Sequence, residues 1–193
     1  MSVGGRQRKV RSDKKRDIKP TISLELKDSI YRLAFITRTP VKDVCELLVK
    51  NVLFENEDII KDLSRNFRRD IRINNTLYVG HLKNERIAKI EDGETERISF
   101  RLTNEDYEII YALSYALDCS VSRVASILFY ESITDAVFIE RYVESYLDSL
   151  DKSRKKELKQ LLKYIRKEIG ESYSLADLLS YLVDEPIRWD FPK

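Results

Sequence analysis

The chain has 193 residues, 42% of them hydrophobic and 35% charged, which suits one or two domains with a real core. Five glycines and four prolines leave little room for long loops, and no apolar run approaches the ~20 residues that span a bilayer, so no membrane partner is expected. The net charge is only +2, but eight basic residues against Asp13 and Asp17 make residues 1–20 +6 and leave −4 for the remainder.

Residues 1–19 contain Val3, Val10 and Ile18 as their only aliphatic side chains beyond Met1, so a disordered basic arm is expected there. Such an arm either solubilises the chain or lies along nucleic acid, with Arg11, Lys14, Lys15, Arg16 and Lys19 as phosphate contacts. Ile22-Ser23-Leu24-Glu25-Leu26 alternates and predicts a strand over 21–26 with Thr21, Ser23 and Glu25 outward. Ile30, Leu33, Ala34 and Thr37 form a helical stripe. Thr39 has the character of an N-cap with Pro40 at the first helical position, and Val41, Val44, Leu48 and Val52 continue at helical spacing.

Residues 54–95 read as a connector. Asp58–Phe67 predicts a short helix, and Asn74-Asn75 between Ile71, Ile73 and Leu77, Val79 suggests a hairpin. Arg65, Arg68, Arg69 and Arg72 form a basic cluster, readable as a solvated surface or as a phosphate contact. His81, the one histidine, has no Cys or His neighbour of metal-ligand spacing, and no metal site is expected.

Arg97-Ile98-Ser99-Phe100-Arg101-Leu102 alternates strictly, placing Arg97, Ser99 and Arg101 on one face. Thr103 followed by Asp106 resembles a capping box, so a helix should start at once. On it Tyr111 and Tyr115 sit at helical spacing and read as packing. Ser120 is a credible N-cap for a second helix, with Ser122 and Arg123 in its first turn. Beyond residue 131, helices are predicted over 135–150, 153–169 and 174–183. The second is strongly basic outside Leu158, Leu161, Leu162 and Ile165, and its charge either touches nucleic acid or only keeps the helix solvated.

The chain contains a repeat. Ile22–Leu26 matches Ile98–Leu102 at an offset of 76, and Val41, Val44 and Leu48 match Val121, Val124 and Leu128 at an offset of 80. The difference amounts to about one helical turn lost from the first copy's first helix.

These two copies, residues 20–53 and 96–131, resemble ribbon-helix-helix modules, the DNA-binding fold of the methionine and Arc repressors. Two in one chain resemble the TraY-type accessory proteins of plasmid conjugation. The resemblance implies a mainly α protein with short β-strands, its two modules sharing an antiparallel β-ribbon, followed by a C-terminal helical region at 132–193. It further implies double-stranded DNA as partner, with the ribbon in the major groove reading bases through Thr21, Ser23, Glu25, Arg97, Ser99 and Arg101. Phosphates would be held at the second helices by Thr39, Lys42, Ser120, Ser122 and Arg123. Glu25 either contacts a base or pairs with Arg101 across the ribbon. Four arginines would crowd a ribbon of two 97–102 strands, so strand 21–26 is expected to pair with 97–102 of the same chain and read an asymmetric site.

Catalysis has no support in the sequence: no Ser/His/Asp or Cys/His arrangement, phosphate-binding Gly loop or metal-ligand cluster is present, and no cofactor is expected. Cys45 and Cys119 form no pattern, and no signal peptide is read, so a cytoplasmic protein of bacterial, phage or plasmid origin is expected. A transcriptional regulator or a relaxosome or partition factor fits. The alternative is an antitoxin whose residues 132–193 bind a toxin. Self-association or another protein partner through 132–193 is open, and a helical interaction protein without nucleic acid is the third class.

Overall fold

The computed structural model describes residues 15–73, 75–87, 93–144, 146 and 150–169. Arg11, Lys14 and the expected helix at 174–183 lie outside the described residues. The fold is mainly helical with short antiparallel strand pairs.

Strands β1 (Arg16–Ile18) and β2 (Thr21–Ser23) lead into helix α1 (Leu24–Thr37) and helix α2 (Val41–Lys50), which a π-helical turn extends over Asn51–Glu55. Helix α3 (Glu57–Leu63), which ends before the Phe67 expected for it, and the hairpin of β3 (Ile71–Ile73) and β4 (Thr76–Tyr78) lie between the two copies. Strands β5 (Thr95–Arg97) and β6 (Phe100–Leu102) precede α4 (Asn104–Leu117), α5 (Val121–Thr134), α6 (Ala136–Glu144) and α7 (Lys152–Ile169).

β1 pairs with β6 and β2 with β5, both antiparallel. The two registers are continuous: Asp17 faces Arg101, Ile18 faces Phe100, and Thr21 faces Arg97. The ladder is interrupted at Pro20, which has no N–H to donate, yet the Ile98 amide still donates to the Pro20 carbonyl (3.1 Å). One two-stranded ribbon therefore runs from 16–23 against 95–102 within a single chain.

This register corrects the repeat. α1 and α4 are both 14 residues long and lie 80 residues apart. Their caps repeat at the same offset: Ser23 Oγ accepts from the Leu26 amide, and Thr103 Oγ1 from the Asp106 amide. Their ends repeat too, in the left-handed residues Arg38 (φ 55°) and Asp118 (φ 54°). No turn has been lost. Ser23 stands where Thr103 stands, as a cap, and Glu25 belongs to α1 rather than to a strand. The first-copy strand is 16–23, so the disordered arm expected over 1–19 does not include β1. Thr39 is not the cap of α2 either. Pro40 occupies that position, and its carbonyl accepts from the Asp43 and Val44 amides (2.8 and 3.1 Å).

The core lies between the ribbon and the helices. Ile18, Pro20, Ile22, Ile98, Phe100 and Leu102 point inward from the ribbon and are buried. The Phe100 ring meets Phe129 of α5 at a centroid distance of 5.1 Å. α2 and α5 pack on each other with Leu48, Val52, Val124 and Leu128 buried. Their far ends are joined by a buried bond from Asn51 Nδ2 to Ser132 Oγ (3.0 Å). Among the described residues, no single helix is long and apolar enough to cross a membrane.

Two additions flank this centre. The connector covers the C-terminal end of α4: the Arg68 amide donates to the Ala116 carbonyl (2.7 Å) and Arg69 Nη1 to the Tyr115 carbonyl (2.9 Å). Gly80 permits this, because a Cβ there would lie 2.4 Å from the Arg69 amide nitrogen. α7 covers α1 with Leu158, Leu161, Leu162 and Ile165 buried. Tyr111 and Tyr115 do not pack inward as expected; they are 57% and 54% exposed, like Tyr31 and Phe35 at the equivalent positions of α1. A guanidinium sits over one ring of each set, Arg69 over Tyr115 at 4.7 Å and Arg154 over Phe35 at 5.9 Å.

Candidate nucleic-acid interface

A ribbon with one buried face must present its other face to solvent. Here that face carries Asp17, Lys19 and Thr21 from the first strand and Arg97, Ser99 and Arg101 from the second. All are exposed except Thr21, which is half-buried. At the 80-residue offset Asp17 corresponds to Arg97, Lys19 to Ser99 and Thr21 to Arg101. The register then sets the Asp17–Arg101 pair at one end, the Thr21–Arg97 pair at the other, and Lys19 beside Ser99 between them.

Four of the six expected base-reading residues, Thr21, Arg97, Ser99 and Arg101, share this face. Ser23, at the end of β2, and Glu25, in α1, are engaged elsewhere. Ser23 is occupied as the cap of α1, and the Glu25 carboxylate takes both of its 2.9 Å contacts from Lys167 Nζ in α7. The carboxylate that meets Arg101 across the ribbon is instead Asp17, with Arg101 Nε 3.8 Å away. Asp17 also accepts from the Ser99 hydroxyl (3.0 Å) and lies 3.4 Å from Lys19 Nζ. The Ser99 hydroxyl, then Lys19 and Arg101, hold its carboxyl below the ordinary 3.8 against a smaller effect of burial. Arg97 makes no ion pair among the described residues, so the two ends of the ribbon differ chemically.

The expected phosphate contacts divide. Lys19 lies on the ribbon's outward face rather than in an arm. Lys15 Nζ reaches Glu46 of α2 at 2.5 Å. Arg16 donates to Asn104 Oδ1 (3.0 Å), approaches Glu108 (3.2 Å) and stacks on Tyr107, its guanidinium 4.4 Å from the ring centre. Both are tied to the protein. At the start of α5, Ser120 Oγ accepts from the Arg123 amide (3.1 Å), and Ser122 is half-buried. The Arg123 guanidinium turns back toward Ser126 Oγ (3.4 Å), and partial burial lowers its pKa. At the start of α2, Lys42 is exposed, and Thr39 Oγ1 accepts from the Tyr142 hydroxyl (3.3 Å).

The connector arginines serve the fold. Arg68, Arg69 and Arg86 surround Asp118 at 3.4, 3.1 and 2.7 Å, where α4 ends. Arg86 first, and Arg69 with it, hold the Asp118 carboxyl below its ordinary range, outweighing a smaller effect of burial. Arg65 pairs locally with Asp62, and Arg72 is exposed.

Sequence reasoning missed Asp17 and Lys19 as ribbon residues. The signal was present: Asp17, Lys19 and Thr21 alternate with Ile18, Pro20 and Ile22, but a proline inside a strand pattern speaks against a strand. Among the described residues, no group of three or more His, Cys, Asp or Glu is placed to hold a metal ion. Comparison with known proteins finds no matching family model, no matching curated protein and no matching solved structure.

Proposed function

We propose that this chain is a sequence-specific double-stranded DNA-binding protein of the ribbon-helix-helix kind, with both modules supplied by one polypeptide. The ribbon enters the major groove, which is wide enough for two strands. The observation that carries this reading is the ribbon's outward face: six polar or charged side chains, Asp17, Lys19, Thr21, Arg97, Ser99 and Arg101, set against an inner face whose buried side chains, Ile18, Pro20, Ile22, Ile98, Phe100 and Leu102, are all apolar. A ribbon built only to close a core has no need of guanidiniums directed outward from both ends. The chemistry suits a transcriptional regulator or a mobile-element accessory factor equally, because the fold sets the mode of binding and not the pathway.

Arg97 is the leading base reader. With no ion pair among the described residues, its guanidinium fork can meet guanine O6 and N7, a contact worth ~1–3 kcal/mol of discrimination. Selection of bound duplexes from a random pool supplies the site. Arg97→Ala is then expected to lose preference at one base pair while affinity for random duplex persists. An equal fall for selected and random duplexes would make Arg97 a phosphate contact and sink the assignment.

A further inference from the structure

α7 is an amphipathic helix with an unusual polar face. Its 18 residues carry eight basic and two acidic side chains. Both acids engage the protein: Glu157 pairs with Arg32 of α1, and Glu168 accepts from the Tyr130 hydroxyl of α5 (2.9 Å). The solvent side is left to lysines. Lys152, Lys156, Lys159, Lys163 and Lys167 are exposed and follow each other at spacings of three and four, one row along the helix. Its reach from Lys152 to Lys167 is about 22 Å at 1.5 Å per residue.

Such a row costs stability. Lys152 and Lys156 are like-charge neighbours one turn apart, where a helix that only needed solubility would alternate Glu with Lys. An external polyanion relieves that repulsion.

The placement of the row identifies the polyanion. α7 runs antiparallel to α1, since Glu157 meets Arg32 while the later Lys167 meets the earlier Glu25. Glu25 is two residues beyond Ser23, where β2 ends, so the lysine row starts at the edge of the ribbon and leads away from it. Among the described residues the equivalent flank, beside α4, carries no such lysine row; the exposed side chains there include Glu105 and Glu108.

We propose that the lysine row of α7 grips the phosphate backbone of the duplex next to the ribbon, on the β2–α1 side alone. This rests on the reading that the ribbon enters the major groove. The protein then covers more DNA on one flank than on the other, and the row fixes which way round it binds.

The test uses the full chain, a duplex carrying the selected site with flanks on both sides, and backbone footprinting. The variant Lys152→Gln/Lys156→Gln/Lys163→Gln leaves the ribbon and the Lys167–Glu25 pair untouched. Wild type is expected to protect backbone further on one flank, and the variant to lose that extension. Each phosphate contact contributes about −0.9 to the slope of log K on log salt, so the variant's slope should be shallower by up to about 2.7. Replacing the same three residues with Arg should restore slope and footprint. Trimming the protected flank from the duplex should reproduce the variant's loss, and trimming the other flank should change nothing. An unchanged slope and a footprint even on both sides would overturn the proposal and leave ribbon binding standing. Failure of wild type to hold any duplex at low salt would overturn both.

Discussion

Asp17 is the side chain that makes the ribbon's two ends unlike. Its carboxylate holds Ser99 and stands near Lys19 and Arg101, while the equivalent position in the second copy is Arg97. A carboxylate in a groove lined with phosphates is unfavourable by itself and is tolerable beside cations. Held there, it stands 3.8 Å from Arg101 Nε and, on the proposed reading, narrows what that guanidinium would read. Asp17→Ala is expected to raise affinity for random duplex, since one repulsive charge is gone, and to lose about 1 kcal/mol of discrimination at the base pair under Arg101. A parallel rise for selected and random duplexes would show that Asp17 does not orient Arg101.

Glu131 offers a second test at this scale, concerned with stability. It sits half-buried on α5, and burial, helped by Asp62, raises its pKa above the ordinary 4.5. The folded state therefore holds this proton more tightly than the unfolded state. The associated stability is full below the ordinary Glu range and is lost as pH rises through the raised value. Glu131→Gln should melt higher than wild type at pH 7, and that advantage should vanish in acid. Equal melting at pH 7 would mean that the carboxylate is adequately solvated where it stands.

At the scale of elements, α1 and α4 are copies that end alike and are finished differently. Both close on a non-glycine residue in the left-handed region, a conformation costing roughly 1–2 kcal/mol for an L side chain. At Asp118 the cost is offset by the ring of Arg68, Arg69 and Arg86. Arg38 is exposed; its amide meets the Ala34 and Phe35 carbonyls in the cap, and its charge is felt by the Asp151 carboxylate rather than enclosed in a ring of partners. Arg38→Gly is expected to stabilise the chain by about 1 kcal/mol in denaturant unfolding. Asp118→Gly should destabilise it, because the relief of strain is outweighed by the loss of the one carboxylate that Arg68, Arg69 and Arg86 share. Matching effects at the two sites would refute this account.

The same elements explain what could be read from sequence. Helices were legible because their caps are chemical: Thr103 and Ser120 announce their starts, and the apolar rows of α2, α5 and α7 recur at helical spacing. The register of the first strand was not legible. Ile22, Leu24 and Leu26 alternate with Ser23 and Glu25 like a strand, although Ser23 caps a helix and Leu26 belongs to its first buried row. Helix and strand periodicities agree over so short a stretch, and Pro20 concealed the true strand before it. The match at an offset of 76 followed from that coincidence. The pairing of the two copies within one chain was legible from charge, and Asp17 fills the role expected of Glu25.

For the whole molecule, an internal ribbon changes the order of the folding reaction. Arc-like modules that pair between chains gain stability with concentration, as any association does. Here both ribbon strands belong to one chain, so the melting temperature of the ribbon core should not move when protein is diluted a hundredfold. A melting temperature that falls on dilution would mean that the ribbon is shared between chains in solution. On the proposed reading, the unlike ends of the ribbon also call for an unlike site: half-sites recovered by selection should differ, and a perfect palindrome should bind no better than its weaker half allows.

The interrupted ladder at Pro20 lies in a strand made long before its partner. Synthesis runs at about 5–20 residues per second, so the ~80 residues separating the two strands take roughly 4–16 s to appear. Throughout that interval the nascent chain carries an open strand edge, the feature that invites pairing with the wrong neighbour, and on a polysome the neighbours carry the same edge. A proline at the middle of that edge removes one donor and makes a copy-to-copy ribbon a poorer ladder than the one with residues 95–102, which has its own N–H at each of those positions. On donor count alone, Pro20 thus favours the late partner over an identical strand already at hand, since a copy-to-copy ribbon would lack an N–H on both sides.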